Sequence, residues 1–182
     1  MALDQKRLEE LGRELLLAIG EDPTRSGITG TPRRWAKWWS EFMDFDPGKV
    51  DVLFESQHTS SMVIVAGIKV WSLCEHHLLP FNCEVAIGYV PNGEVLGLSK
   101  FARIAHKVAH GLQVQERMTE QIATEVQTVT GSGDVIVVGR GEHLCGTMRG
   151  IKTHMSMRTI ATRGSFDYSP DLRMEFYKLA GW

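Results

Sequence analysis

The sequence predicts an α+β fold in which a mainly antiparallel sheet carries helices on one face. Two observations predict it: β-rich segments cluster in the middle of the chain, and apolar residues repeat at helical spacing on both sides of them. We expect the 182 residues to form one functional unit. It has an N-terminal helical region over residues 1–50 and a main domain over residues 51–182.

Two helices are expected in the N-terminal region. The first covers residues 4–19, where Asp4 can cap the helix and apolar residues repeat at three- and four-residue spacing: Leu8, Leu11, Leu15 and Ile19. The second begins at Thr31, whose hydroxyl can cap it, with Pro32 at the first helical position. Its aromatic stripe is typical of a core or a subunit contact and consists of Trp35, Trp38, Trp39 and Phe42.

The rest of the chain alternates strands and helices. The predicted strands cover residues 62–65, 68–71, 84–90, 135–138, 146–152 and 155–162. Two helices lie between the third and fourth of these strands, one capped by Ser99 and one over residues 116–129. Ser169 and Pro170 begin a final helix that ends at Gly181.

Composition argues against several classes of protein. The net charge of −2 disfavours a nucleic-acid-binding protein, which is usually basic. No apolar run approaches the about 20 residues that span a bilayer, and the charged N-terminal helix leaves no signal peptide. Three cysteines are too few for a disulfide framework. We therefore expect a cytoplasmic protein with no nucleic-acid or membrane partner.

Thiol and imidazole groups, the ligand types that zinc prefers, occur in two clusters. The first is Cys74-Glu75-His76-His77 and the second is His143-Leu144-Cys145. We expect the clusters to meet around one Zn²⁺ held by Cys74, His77 and Cys145, because two thiolates and one imidazole leave a position open for water. His76 and His143 would stand beside the metal and transfer protons.

Non-catalytic alternatives stay open for these residues. A structural zinc site would need a fourth protein ligand, which His76 or His143 could supply. Cys74 and Cys145 could instead form a disulfide, although a reducing compartment disfavours one. Cys83 is expected to be an ordinary buried residue.

Basic residues in the same region suit a polyphosphate ligand. Lys100 and Arg103 lie three residues apart on one helical face, near a helix N-terminus that favours anions, and Arg149 follows the second cluster. A solvated basic face is the alternative for each of them. Glu116 could accept hydrogen bonds from the N–H and amino groups of a guanine-like ring.

These motifs, in this order, resemble the GTP cyclohydrolase I family from about residue 5 to residue 180. The resemblance rests on four segments: Cys74-Glu75-His76-His77-Leu78-Leu79-Pro80-Phe81, Gly97-Leu98-Ser99-Lys100 with Ala102-Arg103-Ile104, Gln113-Val114-Gln115-Glu116-Arg117 with Thr119, and His143-Leu144-Cys145 with Met148-Arg149-Gly150. It implies the tunnelling fold (T-fold), in which protomers join antiparallel sheets into rings, and a homodecamer with active sites at subunit interfaces. No regulatory partner is expected, because the N-terminal extension is short.

The resemblance also implies a role for each candidate residue. Zn²⁺ is bound by Cys74, His77 and Cys145; Glu116 anchors the guanine ring of the substrate GTP, with Gln115 beside it. Ser99, Lys100, Arg103 and Arg149 surround the ribose and triphosphate, and Ser99 counts with His76 and His143 as catalytic. Zinc-activated water attacks C8 while His143 protonates the imidazole ring, and a second hydrolysis releases formate. His76 assists proton transfers near the ribose; rearrangement and closure give 7,8-dihydroneopterin triphosphate, the entry to tetrahydrofolate and other pterins.

The chain departs from the family pattern at Asn82-Cys83 and at Arg158-Thr159-Ile160, where the usual Thr-Thr-Ser run is missing. These departures affect local substrate contacts and not the zinc. Three other functions stay open. One is a related enzyme of the same fold, although pyruvoyl-tetrahydropterin synthase-like enzymes use three histidine ligands and nitrile reductases use a nucleophilic cysteine. The others are an inactive zinc-stabilised oligomer or nucleotide-binding module, and a hydrolase that stops at the ring-opened formamide.

Overall fold

The structure, a computed structural model, describes residues 3–55 and 61–182. The chain divides into two compact units, Met1–Asp46 and Pro47–Trp182, whereas the sequence-based boundary was placed after residue 50. The first unit contains α1 (Gln5–Ala18) and α2 (Thr31–Met43). Among the described residues, no helix has both the length and the apolar character needed to cross a membrane.

The two helices of the first unit pack closely at a glycine. A Cβ at Gly12 would lie 3.1 Å from the Trp35 ring and 3.2 Å from Pro32 Cα, so a side chain there would have to push the two helices slightly apart. The Asp4 carboxylate caps α1, as predicted, by accepting a hydrogen bond from Arg7 N–H at 2.9 Å. The cap predicted at Thr31 is wrong: Thr31 is the first helical residue, and Gly30 precedes it without a side-chain cap.

The second unit is a mixed α+β unit. Its elements, in chain order, are β1 (Leu53–Glu55), β2 (Val63–Cys74), β3 (Pro80–Tyr89), β4 (Glu94–Leu96), α3 (Leu98–Ala109), β5 (Leu112–Gln113), α4 (Gln115–Thr130), β6 (Val135–His143), α5 (Leu144–Thr147), β7 (Met157–Arg163), α6 (Ser165–Tyr168) and α7 (Pro170–Ala180). The main sheet has the strand order β5-β2-β3-β6-β7. All its pairings are antiparallel except that of β5 with β2, and β1 pairs with β4 separately.

Helices cover both faces of this sheet, so the prediction of helices on one face is wrong. Alternate residues of a strand point to opposite faces. Val135 and Val137 of β6 pack with residues of α3 and α4, such as Ile104 and Met118. Ile136 and Val138 pack on the other face with Phe166 and Phe176 of α6 and α7. Ser169, Pro170 and Gly181 predicted the bounds of the last helix, but they do not indicate which face of the sheet it covers.

Other differences from the predicted elements have local causes. The two strands predicted before the first cluster are one strand, β2, with an irregularity at Gly67, whose φ is 74°. Ser99 lies inside the first turn of α3, and Gly97 occupies the cap position. The strand predicted over residues 146–152 is wrong: α5 and a turn stand there. The final helix is confirmed, with the Ser169 hydroxyl accepting from Leu172 N–H at 3.2 Å.

Candidate functional site

The segment between β2 and β3 is a tight turn that closes on Cys74. The N–H groups of His77 and Leu78 donate to the Cys74 carbonyl at 3.2 and 2.8 Å, and Cys74 N–H donates to the Leu79 carbonyl at 2.9 Å. The turn requires a φ of 54° at Leu78, a left-handed conformation that L-residues rarely adopt. It brings Cys74 Sγ and His77 Nδ1 to 3.7 Å from each other.

Arg117 of α4 ties this turn to the rest of the unit. Its guanidinium donates to the Glu75 carboxylate, to the Leu112 carbonyl at 2.8 Å and to Gln113 Oε1 at 3.0 Å. The hydrogen bond from Arg117 lowers the pKa of Glu75. Glu75 N–H also donates to the Gln113 carbonyl at 3.0 Å. Glu75, which follows the predicted ligand Cys74, is therefore held by both its backbone and its side chain.

Cys145 reaches the turn because β6 pairs with β3. Phe81 lies opposite His143 in this pairing, and α5, which contains Cys145, begins directly after His143. The ligand atoms of Cys74, His77 and Cys145 all lie within 4.8 Å of one another. Two ligand atoms on one tetrahedral zinc are about 3.5 to 4 Å apart, so the three can reach one ion.

All three cysteines are free thiols, and the alternative of a Cys74–Cys145 disulfide is not formed. Burial and the neighbouring Cys74 raise the pKa of the Cys145 thiol. A cation bound between two such sulfurs reverses this effect, because it stabilises the thiolate form. Cys83 is separate from the group: burial raises its pKa to about 12, in line with the predicted structural role.

The two remaining histidines of the clusters lie beside this group in different environments. His76 is exposed, with Nδ1 3.9 Å from Cys74 Sγ. The His143 ring stacks on Phe81, with centroids 4.4 Å apart and planes within 6° of parallel, and its Nε2 is 3.0 Å from Gln115 Oε1. Burial lowers the pKa of His143, and the nearby charge of Glu116 opposes this effect. A histidine that is neutral near pH 7 can accept a proton and return it.

Comparison with known proteins decides the family. The family model for GTP cyclohydrolase I matches residues 8–181. The chain belongs to this family. GTP cyclohydrolase 1 of Hyperthermus butylicus is 42% identical over 179 residues, which cover 98% of this chain and 92% of that protein. GTP cyclohydrolase 1 of Dehalococcoides mccartyi is 45% identical over 183 residues, covering 97% and 96%.

The resemblance inferred from the motifs is thus confirmed, and the chain is an enzyme of the GTP cyclohydrolase I type. Among solved structures, the archaeosine synthase QueF-Like in the apo form matches with a TM-score of 0.47 and 18% identity, covering 57% of this chain and 94% of that one. This similarity is too low to assign the fold.

Cys74, His77 and Cys145 form a candidate metal-binding group, called the metal-binding group below. Two predicted substrate-binding residues lie next to it. Glu116 is exposed in the first turn of α4, close enough to His143 to influence its pKa. Arg149 is exposed after α5, and its charge acts on Cys145. Gln115, which the family resemblance placed beside the guanine ring, has no exposed surface in the single chain, and all its described side-chain contacts are inside the protein.

Three other predicted residues lie far from the metal-binding group within one chain. Ser99, Lys100 and Arg103 belong to the start of α3, which follows β4, and Leu96 of β4 donates to Tyr89 at the opposite end of β3 from Pro80. The end of α3 is at the metal-binding end, where the Ser72 hydroxyl donates to the Ala109 carbonyl at 2.7 Å. Nine residues of helix, about 14 Å, separate Lys100 from Ala109.

The side chains of these basic residues contact the segment before β1 instead. Lys100 Nζ donates to the Lys49 carbonyl at 2.9 Å, and the Arg103 guanidinium donates to the Pro47 carbonyl. Within a single chain, Lys100 and Arg103 therefore do not meet the third predicted cation, Arg149.

The sequence alone did not identify the buried residues that contact the site residues and hold them in place. In the sequence, Arg117 stands out only as part of a motif, and the glycines of β6 carry no prediction. A Cβ at Gly141 would collide with Gln115 Oε1, and one at Gly139 would lie 3.0 Å from Thr159 Oγ1 and 3.3 Å from Thr119 Oγ1. Two glycines spaced by two in a strand are a signal of close approach on one face, which could have indicated this.

Proposed function

We propose that the chain is a zinc-dependent GTP cyclohydrolase I that converts GTP and water to 7,8-dihydroneopterin triphosphate and formate. This is the first step of tetrahydrofolate and pterin biosynthesis. The observation that carries the proposal is the convergence of Cys74, His77 and Cys145 beside His143 in a chain of this family. The three free thiols also suit a reducing cytoplasm.

The donor set fits Zn²⁺ better than other common ions. Two sulfur atoms and one imidazole nitrogen are the soft ligands that zinc accepts, whereas Mg²⁺ and Ca²⁺ require oxygen. Three protein ligands leave a position for the reacting water. When bound there, zinc supplies Lewis acidity that lowers the pKa of water to about 7.

The chain's own residues bind the substrate and move protons. Glu116, exposed beside His143, accepts hydrogen bonds from the guanine ring and so places C8 towards the metal-binding group. His143 donates a proton to the imidazole ring as it opens and takes one back in the second hydrolysis, which releases formate. His76 and Ser99 assist the later proton transfers at the ribose, and Arg149 binds a phosphate group.

We further propose that the active site is completed by neighbouring subunits of a homodecamer with the T-fold ring architecture. Ser99, Lys100 and Arg103 lie at the far end of α3 from their own chain's metal-binding group, so they suit the site of another copy. GTP would then exchange its triphosphate oxygens for the carbonyl groups of Pro47 and Lys49 as partners of the two cations.

The test is to incubate the zinc-loaded protein with GTP and to assay formate and, after oxidation, fluorescent neopterin. Both products are expected. Formate without neopterin would mean that rearrangement or ring closure fails, which points to Ser99, His76 or the altered segment at Arg158. Neither product, with zinc bound and the oligomer intact, would contradict the proposal and favour a binding module or a different substrate.

The subunit arrangement has its own test, which mixes two inactive variants. Lys100→Ala and Cys145→Ala subunits are unfolded, combined and reassembled into mixed oligomers. If the site draws residues from two chains, some mixed sites contain both native residues and activity returns. Mixed oligomers that remain inactive would contradict the shared site.

A further inference from the structure

Gln115 lies between the metal-binding end of the sheet and its hydrophobic core, and none of its surface is exposed. Its amide nitrogen is within hydrogen-bond distance of three oxygens: the Gly139 carbonyl at 3.2 Å, the Met157 carbonyl at 3.2 Å and Thr159 Oγ1 at 3.1 Å. Two of these are carbonyl oxygens, which only accept. The nitrogen must therefore face them, and the amide oxygen must point the other way.

The neighbours of Thr159 also determine where its hydroxyl hydrogen points. Thr119 Oγ1 donates its single hydrogen to the Gln115 carbonyl at 2.8 Å. The contact of 2.6 Å between the two threonine hydroxyls then requires Thr159 to donate to Thr119. Thr159 Oγ1 is left as an acceptor for the Gln115 amide. Each hydroxyl hydrogen of this buried network has one direction, and the two amide hydrogens of Gln115 are shared among three acceptors. Networks that are satisfied in this way hold their members in one geometry.

His143 is the remaining neighbour of Gln115. The distance from Gln115 Oε1 to His143 Nε2 is 3.0 Å, and an amide oxygen can only accept. Nε2 must therefore carry a hydrogen. In a neutral imidazole, Nδ1 is then the unprotonated nitrogen. The parallel Phe81 ring restricts the imidazole to this plane.

We propose that Gln115 is a positioning residue that fixes the orientation and tautomer of His143. Nε2–H is held by Gln115, so the neutral imidazole is fixed in the tautomer in which Nδ1 carries no hydrogen. This inference rests on the proposed function for its catalytic meaning. It replaces the role beside the guanine ring that the family resemblance implied for Gln115, because a fully buried amide whose hydrogens all face internal acceptors has none to offer a ligand.

The direct test does not depend on activity. Neutron diffraction from crystals of the full chain grown in deuterated buffer locates the deuterium atoms on the His143 ring. Deuterium on Nε2, pointing at Gln115 Oε1, is expected. A bare Nε2 would overturn the proposal whether or not the protein turns over GTP.

The kinetic test separates positioning from substrate binding. Gln115→Met has nearly the same size but cannot accept the hydrogen bond, so kcat for formate release should fall about 10- to 100-fold. The KM for GTP and the zinc content should change little. A raised KM with an unchanged kcat would mean that Gln115 binds GTP, and the positioning role would be wrong.

Gln115→Glu is the conservative rescue. Its carboxyl oxygen can still accept from Nε2, although one of the two carbonyl groups loses its donor, so kcat should fall less than in Gln115→Met. Thr159→Val is the second variant should Gln115→Met not fold; it removes one of three acceptors and should lower kcat less than tenfold.

Ser132→Ala is the control for general loss of a buried hydrogen bond. Ser132 is buried and donates to the Val90 carbonyl at 2.7 Å at the opposite end of the sheet. It should lower stability and leave kcat unchanged. An equal loss of kcat in Ser132→Ala and Gln115→Met would attribute both to destabilisation and overturn the positioning role. A native chain without any cyclohydrolase activity would instead refute the proposed function and leave the neutron result to decide the tautomer.

Discussion

The two halves of β6 use the same backbone pairing for different purposes. In its apolar half, Val135–Val138, successive side chains are buried on alternate faces of the sheet. In its polar half, Gly139–His143, the face towards α4 carries two glycines, and the space they leave contains the amide of Gln115 and the hydroxyls of Thr119 and Thr159.

The difference teaches what positioning of a histidine requires. A buried valine or isoleucine contributes about 1.5 to 3 kcal/mol of hydrophobic free energy, whereas a hydrogen bond contributes a net of only about 1 kcal/mol. The polar half therefore contributes less to the stability of the fold than the apolar half. Its buried polar groups do not destabilise the fold further, because all of them are paired. Substitutions in the apolar half should change stability, and those in the polar half should change chemistry.

The largest effect is expected for Cys145→Ala, directly after the polar half. Loss of one of three ligands should abolish tight zinc binding and reduce activity to background, because no other thiol of the described chain reaches the group. Zinc content by atomic absorption and formate release are the measurements. Cys83→Ala is the matched control: it removes a buried thiol outside the group and should retain both zinc and activity. An active, zinc-loaded Cys145→Ala protein would refute the metal site.

His143→Ala should have the next largest effect. General acid–base catalysis is worth about 10²- to 10⁴-fold, so ring opening should slow by that factor while zinc stays bound. Formate release and metal content on the same sample check this. Loss of zinc would show that His143 is a ligand, the structural-site alternative. His154→Ala, at an exposed histidine paired with Glu142 at 2.9 Å, should leave both quantities unchanged.

A pair of substitutions in β6 sharpens the comparison directly. Ile136→Ala, in the apolar half, should lower the free energy of unfolding by about 2 to 5 kcal/mol with little change in kcat. Gly141→Ala, in the polar half, should lower kcat about tenfold or more, because its new Cβ displaces the Gln115 amide from His143. Thermal unfolding and formate release on both variants are the measurements. A large loss of kcat in Ile136→Ala would mean that the two halves are not separable.

The same contrast explains which features of the fold and the site could be predicted from the sequence alone. The strand predicted for the apolar half is confirmed, and the two Cys-His clusters are visible in the sequence, because those signals lie in adjacent residues. The strand predicted over residues 146–152 is wrong, and the segment has features that disfavour a strand: it contains two glycines, and Gly150 adopts a φ of 62° in the turn after α5. The roles of Gln115 and Thr159 depend on a contact between residues 44 positions apart. No local pattern reports such a contact, and the glycine pair at 139 and 141 was its only local trace.

The smallest effect concerns the backbone at the two ends of the sheet. At the apolar end, Gly131 ends α4 with a φ of 64°, and a Cβ there would meet no atom within 4 Å. At the metal-binding end, Leu78 adopts a φ of 54° with an exposed side chain. Gly131→Ala should therefore cost about 1 kcal/mol of backbone strain alone. Leu78→Gly should relieve a similar strain but raise the entropy of the unfolded chain, leaving a net change of about 1 kcal/mol or less.

The unfolding midpoints of both variants, compared with that of the native protein, measure these changes in stability. The zinc affinity of Leu78→Gly measures the effect on the metal site. If Leu78 only closes the turn, the Leu78→Gly protein should be as stable as the native protein but bind zinc more weakly. The reason is that glycine lets the turn, when no zinc is bound, leave the conformation that aligns Cys74 and His77. A loss of stability well above that of Gly131→Ala would show instead that the Leu78 side chain packs against something, as an exposed apolar residue does at a subunit interface. The left-handed leucine would then belong to assembly and not to the metal-binding turn.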